Sequence, residues 1–422
     1  MNPRDTPQLL EAAWIAPMDA PLLREGAVAF QNGRILAVGT SKNLRRTYPE
    51  AIRQELGNVV LLPGLVNAHL HLELSDCQCG APPAGGFGAW LLQLVRRNAI
   101  ALPQLEGTIQ SAVKMGVDQC LRFGVTSVGD ISRQTAITRP LLQHGPLRVT
   151  SYGEIQAMAA RRNLFADRFD IATDMTFASD RLRIGLSPHA PYTVEPFAYT
   201  ACRLTAEKNH LPLATHLAES PDETDFLKNH TGPFRELWEA IGQWDDEVPY
   251  CSGGPIRFAA SLGLIDFPTL LAHVNYCDDD ELSILAAGKA SIVYCPRTHR
   301  YFGHPPHRWR EMLTRGINVA LGTDSCASSP NLNLVDDARL VYGLAPELPV
   351  EQIWEMVTIR GAKAIDAERL VGSITPGKCA DFVAFPVESE DPLKEILESP
   401  TLPSRTWIAG EKINSSHGDG GF

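Results

Sequence analysis

His69 and His71 stand one residue apart at the end of the apolar run that begins at Val60. In an extended chain, residues two apart project from the same face, so both imidazoles can grip one metal ion. Alone, a His-x-His pair reads equally well as two ordinary strand-end histidines. Its weight depends on partners downstream. His216-Leu-Ala-Glu219, His273 and Asp324 each close an apolar run of their own. Three imidazoles and a carboxylate, from His69, His71, His216 and Asp324, suit one divalent ion with a position left for water. Zinc is expected there, with iron as the alternative. Such an ion lowers the pKa of bound water towards neutrality. Asp324 would then accept the water proton, and Glu219 would carry a proton to the substrate. His273 suits the orientation of that water or the stabilisation of charge at the attacked carbon. A buried, hydrogen-bonded core histidine is its plainer alternative.

The elements that must gather these residues are strands. Extended segments are expected at 60–70, 125–130, 147–154, 183–188, 212–217, 269–274, 291–295 and 318–323. Helical stretches lie between them at 106–122, 196–209, 278–288 and 307–315, with a helical close over 333–365. Asp278-Asp-Asp-Glu281 opens one of these helices, where acidic side chains favour the dipole and cap free N–H groups. Repeated strand-and-helix units predict a closed parallel (β/α)8 barrel rather than an open doubly wound sheet. The reactive groups of such a barrel collect at the C-terminal ends of its strands. In chain order those ends carry His69 and His71, Asp130, Glu154, His189, His216 with Glu219, His273, Arg297 and Asp324. Five of the 12 histidines fall there, more than scatter accounts for.

Both chain ends have β character. Ala27–Phe30 and Ile35–Val38 flank Asn32-Gly33, the pair preferred in a tight hairpin turn. Near the other end, Gly372 to Lys378 almost fits the phosphate-binding Gly-x4-Gly-Lys-[Ser/Thr] loop. Cys379 replaces the required hydroxyl, however, and a strand follows rather than a helix, so a turn between strands is expected. Residues 1–60 and 367–422 are thus expected to form one small β-sandwich domain, and 61–366 the barrel. Residues 415–421, rich in Gly and Ser, are expected to fray.

Composition sets the limits. Of 422 residues, 44% are hydrophobic and 21% charged, as in globular proteins with a large core. A net charge of −11 gives no electrostatic reason to bind nucleic acid or an anionic membrane surface. The chain shows neither an apolar run long enough to span a bilayer nor a basic-then-apolar leader. Nine scattered cysteines suit reduced thiols and a cytoplasmic protein. Cys77-Gln-Cys79 reads as loop, because no second pair completes a four-thiolate zinc site. Asn229-His-Thr231 and Asn414-Ser-Ser416 match the glycosylation pattern by chance. The expected partner is a small-molecule substrate, and a homodimer or higher homo-oligomer is compatible with the composition.

Val60 to His71, His216-Leu-Ala-Glu219, Leu270-Leu-Ala-His273 and Leu321-Gly-Thr-Asp324 together resemble the amidohydrolase superfamily. The resemblance covers nearly the whole chain, including the return of Gly372–Asp381 into the small domain. It is strongest to the branch of metal-dependent deaminases and triazine chlorohydrolases. Strand four offers no lysine at its end, which implies one metal rather than a carboxylated-lysine pair. Ser187-Pro-His189-Ala-Pro-Tyr192 resembles the segment that places a substrate-contacting histidine, here His189. Gly86-Phe-Gly-Ala-Trp90 and Cys295-Pro-Arg297 are most similar to aminodeoxyfutalosine deaminases, which implies substrate contacts from Trp90 and Arg297. Asp324-Ser-Cys-Ala-Ser-Ser-Pro330 and the His-rich stretch Arg297 to His304, with His299 in it, depart from that group, so the substrate stays open. His71-Leu-Glu73 matches the His-x-Glu of cytidine-type deaminases, but their Pro-Cys-x-x-Cys is absent, leaving Glu73 as a loop or substrate residue. The resemblance implies hydrolytic deamination of an aminated purine nucleoside, with chlorohydrolase or amidase chemistry as the alternative. A catalytically silent scaffold is the remote one, since it would have lost these ligands.

Overall fold

The computed structural model describes residues 6–82, 84–100 and 104–413. The expectations for a leader at the first residues, for Asn414-Ser-Ser416 and for residues 415–421 lie outside the described residues.

Eight parallel strands follow one another around a barrel: Leu65–Leu70, Val125–Ser132, Arg148–Ile155, Leu182–Pro188, Leu213–Leu217, Thr269–His273, Ser291–Tyr294 and Asn318–Leu321. The last meets the first through a parallel bridge between Leu70 and Asp324, where Asp324 N donates to His69 O at 3.1 Å. Most of these strands are buried along their whole length, as near-continuous apolar runs must be when side chains fill the barrel and helices cover it. Inside, Val66, Ala68, Ala214, Leu270, Val293 and Ala320 pack as one cluster beneath the strand ends. That plug gives the residues above it a rigid floor. The expected helices appear within a residue or two, and Asp278 with Glu281 forms a reciprocal capping box on Asp279–Ala287.

The strand expected over 60–70 is two strands in different sheets. Val59–Pro63 pairs with Gln8–Ile15 and Phe382–Pro386 in a mixed sheet built from both chain ends, while Leu65 pairs into the barrel with Val125. Gly64 separates them. A Cβ there would lie 2.1 Å from Thr126 Oγ1, so only glycine lets the chain pass this close. The sheets therefore change at Gly64, inside the region assigned to the barrel. In the small sheet, Asn32 and Gly33 both adopt positive φ, at 50° and 73°, as a tight hairpin turn requires. The helical close is also broken, into Leu334–Leu344, Val350–Met356 and Ile359–Ala364. Pro346 and Pro349 account for the first break, since neither supplies an N–H to continue a helix.

Candidate active site

His69 is fully buried, and neither of its ring nitrogens has a hydrogen-bond partner. His216 Nδ1 lies 3.1 Å from the His189 carbonyl oxygen, so it carries the proton and Nε2 keeps a lone pair. That Nε2 faces His71 Nε2 at 3.4 Å, and Asp324 Oδ1 stands 3.5 Å from His71 Nε2 and 3.8 Å from His69 Nε2. The donor atoms of His69, His71 and His216 lie within 4.8 Å of one another, and so do those of Glu219, His273 and Asp324. Burial and the surrounding imidazoles hold His69 and His216 well below the usual imidazole pKa, so both rings are neutral. Lone pairs that converge without a shared proton are costly unless a cation lies between them. This donor set fits a divalent metal ion, and the His216 Nδ1 bond to a backbone carbonyl is the usual support for a ligating imidazole.

The backbone beside these groups is strained. Ala218, His273, Val274 and Asp324 all adopt positive φ, at 51°, 73°, 51° and 57°, a region that non-glycine residues, and β-branched ones above all, avoid. Each strained turn is held by specific bonds. The Glu223 carboxylate accepts the N–H groups of Ala218, Glu219 and Ser220 at 2.9, 2.6 and 3.2 Å. Asn275 Nδ2 donates to Glu219 O at 3.0 Å. Glu219 is thereby aimed at His273, with Oε1 3.4 Å from His273 Nε2. Burial, then the charges of Asp324 and Glu223, push the Glu219 carboxyl well above its usual range, and burial lowers His273 to about 4. A carboxyl that holds its proton more tightly than usual, beside a neutral imidazole, is suited to donate that proton. Ser328 Oγ donates to Asp324 Oδ2 at 3.1 Å and leaves Oδ1 turned towards the histidines.

Over these residues opens a cleft of about 1000 Å³, measured out to its mouth. Phe87, Trp90, Leu91 and Leu94, on the helix Gly86–Ile100, form one apolar wall, continued by Trp238 on Pro233–Ala240. These helices touch at Gly88, where a Cβ would sit 2.3 Å from Pro233 Cβ. The lining also carries charge, with Glu73, Arg133, Glu154 and Arg161, the last lying over the Trp238 ring at 5.2 Å. Glu73 accepts backbone N–H groups from Arg133 and Gln134 at 3.2 and 3.1 Å, and burial with nearby Glu154 and Asp130 raises it to about 8.

Of the residues expected to touch substrate, Trp90 and His189 line this cleft. Trp90 Nε1 donates to Ala327 O at 3.3 Å while its ring packs against Phe87 and Phe302, and His189 Nδ1 lies 2.6 Å from Thr193 Oγ1. Arg297 does not line it. Its guanidinium is spent on Asp337 Oδ2 at 2.9 Å and on Asn331 Oδ1 at 2.8 Å, which ties the loop after the last barrel strand to the helix Leu334–Leu344. The expectation of a substrate contact from Arg297 is therefore corrected to a structural clamp, because a buried carboxylate within reach outcompetes an open cleft for the cation. Glu223 and Asn275 were not anticipated. Glu223 follows Glu219 at helical spacing, a signal too common to single out.

Residues 60–412 match the family model described as "Amidohydrolase family". The chain belongs to that family. Among its relatives is an aminodeoxyfutalosine deaminase of Deinococcus radiodurans, 31% identical over 83% of this chain and 82% of that protein. Another is a 5-methylthioadenosine/S-adenosylhomocysteine deaminase of Moorella thermoacetica, 26% identical over 89% and 84%. An aminofutalosine deaminase of Helicobacter pylori superposes with a TM-score of 0.84 at 23% identity, over 96% of this chain and all of that one. A zinc-bound adenosine deaminase of Xanthomonas campestris gives 0.79 at 20% identity, over 97% and 93%. At these identities the superpositions show the barrel fold of this chain. Among the described residues, no helix is long and apolar enough to cross a membrane.

Proposed function

We propose that this amidohydrolase removes ammonia hydrolytically from an aminated purine nucleoside of the adenosine or aminodeoxyfutalosine kind, with zinc as its ion. The observation that carries the proposal is the buried Glu219 carboxyl, raised well above its usual pKa range and set 3.4 Å from His273, beside the His/Asp donor set in a cleft lined by aromatic side chains. The two sequence relatives named as deaminases support it.

His69, His71, His216 and Asp324 would hold the ion. When bound, it supplies the acidity that makes water a nucleophile near neutral pH. Asp324 takes the first water proton as the oxygen adds to the ring carbon bearing the amino group. Glu219 gives its proton to the adjacent ring nitrogen, so the added electron pair ends there without charge. The amino group then takes the proton held by Asp324 and leaves as ammonia. Glu219 recovers the remaining hydroxyl proton as the carbonyl forms. His273 stays neutral and orients the oxygen during addition. The Trp90 face covers the flat base, and the apolar wall excludes bulk water.

Ammonia release from a panel of adenine nucleosides, against chloride release from chlorotriazines and carboxylate release from amides, tests this reading. Turnover of the nucleosides is expected. Turnover confined to another class would replace it.

A further inference from the structure

The His-rich segment after the seventh barrel strand has no part in the proposed proton transfers, yet it is built with care around one of their participants. His299 Nε2 donates to Pro305 O at 2.9 Å, and Tyr276 OH lies 2.9 Å from His304 Nδ1. These bonds hold the chain at the entry to a stiff Pro305-Pro306 step. That step delivers His307, a buried ring stacked on Tyr294 with centroids 4.2 Å apart. His307 Nε2 lies 2.9 Å from the carbonyl oxygen of His273. A carbonyl only accepts, so Nε2 carries the proton and Nδ1 is bare; Nδ1 is buried and unpartnered. Burial, together with the imidazoles of His299, His273 and His304, lowers this ring to about 3 and keeps it neutral.

The carbonyl it grips belongs to the first of two consecutive left-handed residues, His273 and β-branched Val274. Such a pair persists only where its surroundings over-determine it. Val274 N donates to Leu217 O at 3.0 Å and Tyr276 N to Ala218 O at 3.2 Å, which fastens the far side of the turn to the strand that carries His216. The near side, at the His273 carbonyl, is held by His307.

We propose that His307 is a positioning residue: its Nε2–H fixes the His273 carbonyl and, through that turn, keeps the His273 ring against Glu219. The inference rests on the deaminase reading for its assay, but the residue would serve any hydrolysis that uses the Glu219–His273 pair.

Three proteins test it: wild type, His307→Phe, which keeps the ring on Tyr294 but cannot donate, and His307→Gln, whose amide nitrogen reaches the Nε2 position. Each is assayed for metal content, KM and kcat on the best wild-type substrate. His307→Phe is expected to keep a full complement of metal and a KM within about threefold of wild type, while kcat falls about a hundredfold, the scale of a misplaced catalytic group. His307→Gln is expected to recover kcat to within about fivefold of wild type. Should the Phe protein not fold, His307→Asn, whose amide stops an atom short, replaces it. Unchanged kcat in the donor-less variant, or a His307→Gln protein as slow as it, overturns the proposal. So does a loss that appears in metal content or KM instead. A wild-type protein that deaminates nothing but hydrolyses another substrate refutes the deaminase reading alone, and the same ratios on that substrate still decide the role of His307.

Discussion

Asn67 and Thr323 close the barrel with a reciprocal pair of hydrogen bonds: Asn67 Nδ2 donates to Thr323 Oγ1 at 2.7 Å, and Thr323 N donates back to Asn67 Oδ1 at 3.1 Å. Both residues are fully buried. Asn67 is two residues before His69, and Thr323 immediately precedes Asp324, so this pair sets the separation of the first and last candidate ligands. Asn67→Ala would leave the buried Thr323 N–H unpaired and strip Thr323 Oγ1 of its donor, although Oγ1 keeps its own bond to Asp324 O at 3.3 Å. A loss of about 1–3 kcal/mol in unfolding free energy is expected from denaturant titration. Weaker retention of metal against a chelator is expected with it. A stable variant that holds metal as tightly as wild type would show that the seam is set elsewhere.

The two kinds of site residue are expected to separate on mutation. His69→Ala removes a donor from the fully buried centre of the cluster, and metal content by mass spectrometry should fall. Glu219→Gln preserves shape but has no proton to give, so metal should stay while kcat drops by about 10²–10⁴. Metal loss from both proteins would merge the roles of ligand and proton carrier.

Glu73 makes the stability of the metal-free protein depend on pH. Its carboxyl is raised from 4.5 to about 8 by burial and by Glu154 and Asp130. The folded chain therefore binds this proton more tightly than the unfolded chain, and stability has a negative slope with pH between those values. The contribution is complete below the unfolded pKa and is lost as pH rises through the folded one. Urea titrations of the chelator-treated protein should show Glu73→Gln close to wild type at about pH 5 and increasingly favoured over it towards about pH 8. A gap that is constant across this range would mean that Glu73 is charged throughout.

Much of this site can be read from spacing. A period of two puts His69 and His71 on one face, and strand ends of a parallel barrel converge, so His216, His273 and Asp324 must meet them whatever the loops do. Other features depend on contacts between distant segments. The break at Gly64 is caused by Thr126 in the next strand, which no local pattern records. The cleft wall comes from helices Gly86–Ile100 and Pro233–Ala240, brought together at Gly88 and Pro233. His307 gains its meaning from the strained carbonyl of His273, and strain is a property of the folded backbone alone.

Arg297 shows how a residue at a strand end can turn away from the chemistry. Its guanidinium bonds Asp337 Oδ2 at 2.9 Å and the carbonyl oxygens of Asn331 and Asn333 at 2.8 and 3.1 Å, and its backbone N–H bonds Asp337 Oδ1 at 3.1 Å. Asp337 is fully buried, and burial raises its pKa against the pull of Arg297. Arg297→Met would keep the apolar stem but leave that carboxylate without its cation. Removing one partner of a buried pair costs about 3–5 kcal/mol, since the remaining charge stays desolvated. The variant is therefore expected to lose stability on that scale in denaturant titration. Because the loop of Asp324 is tied through the same guanidinium, metal should also be held less firmly. KM for the fraction that is folded and metal-loaded should change by less than about twofold. A large rise in KM in a protein of wild-type stability would return Arg297 to the substrate.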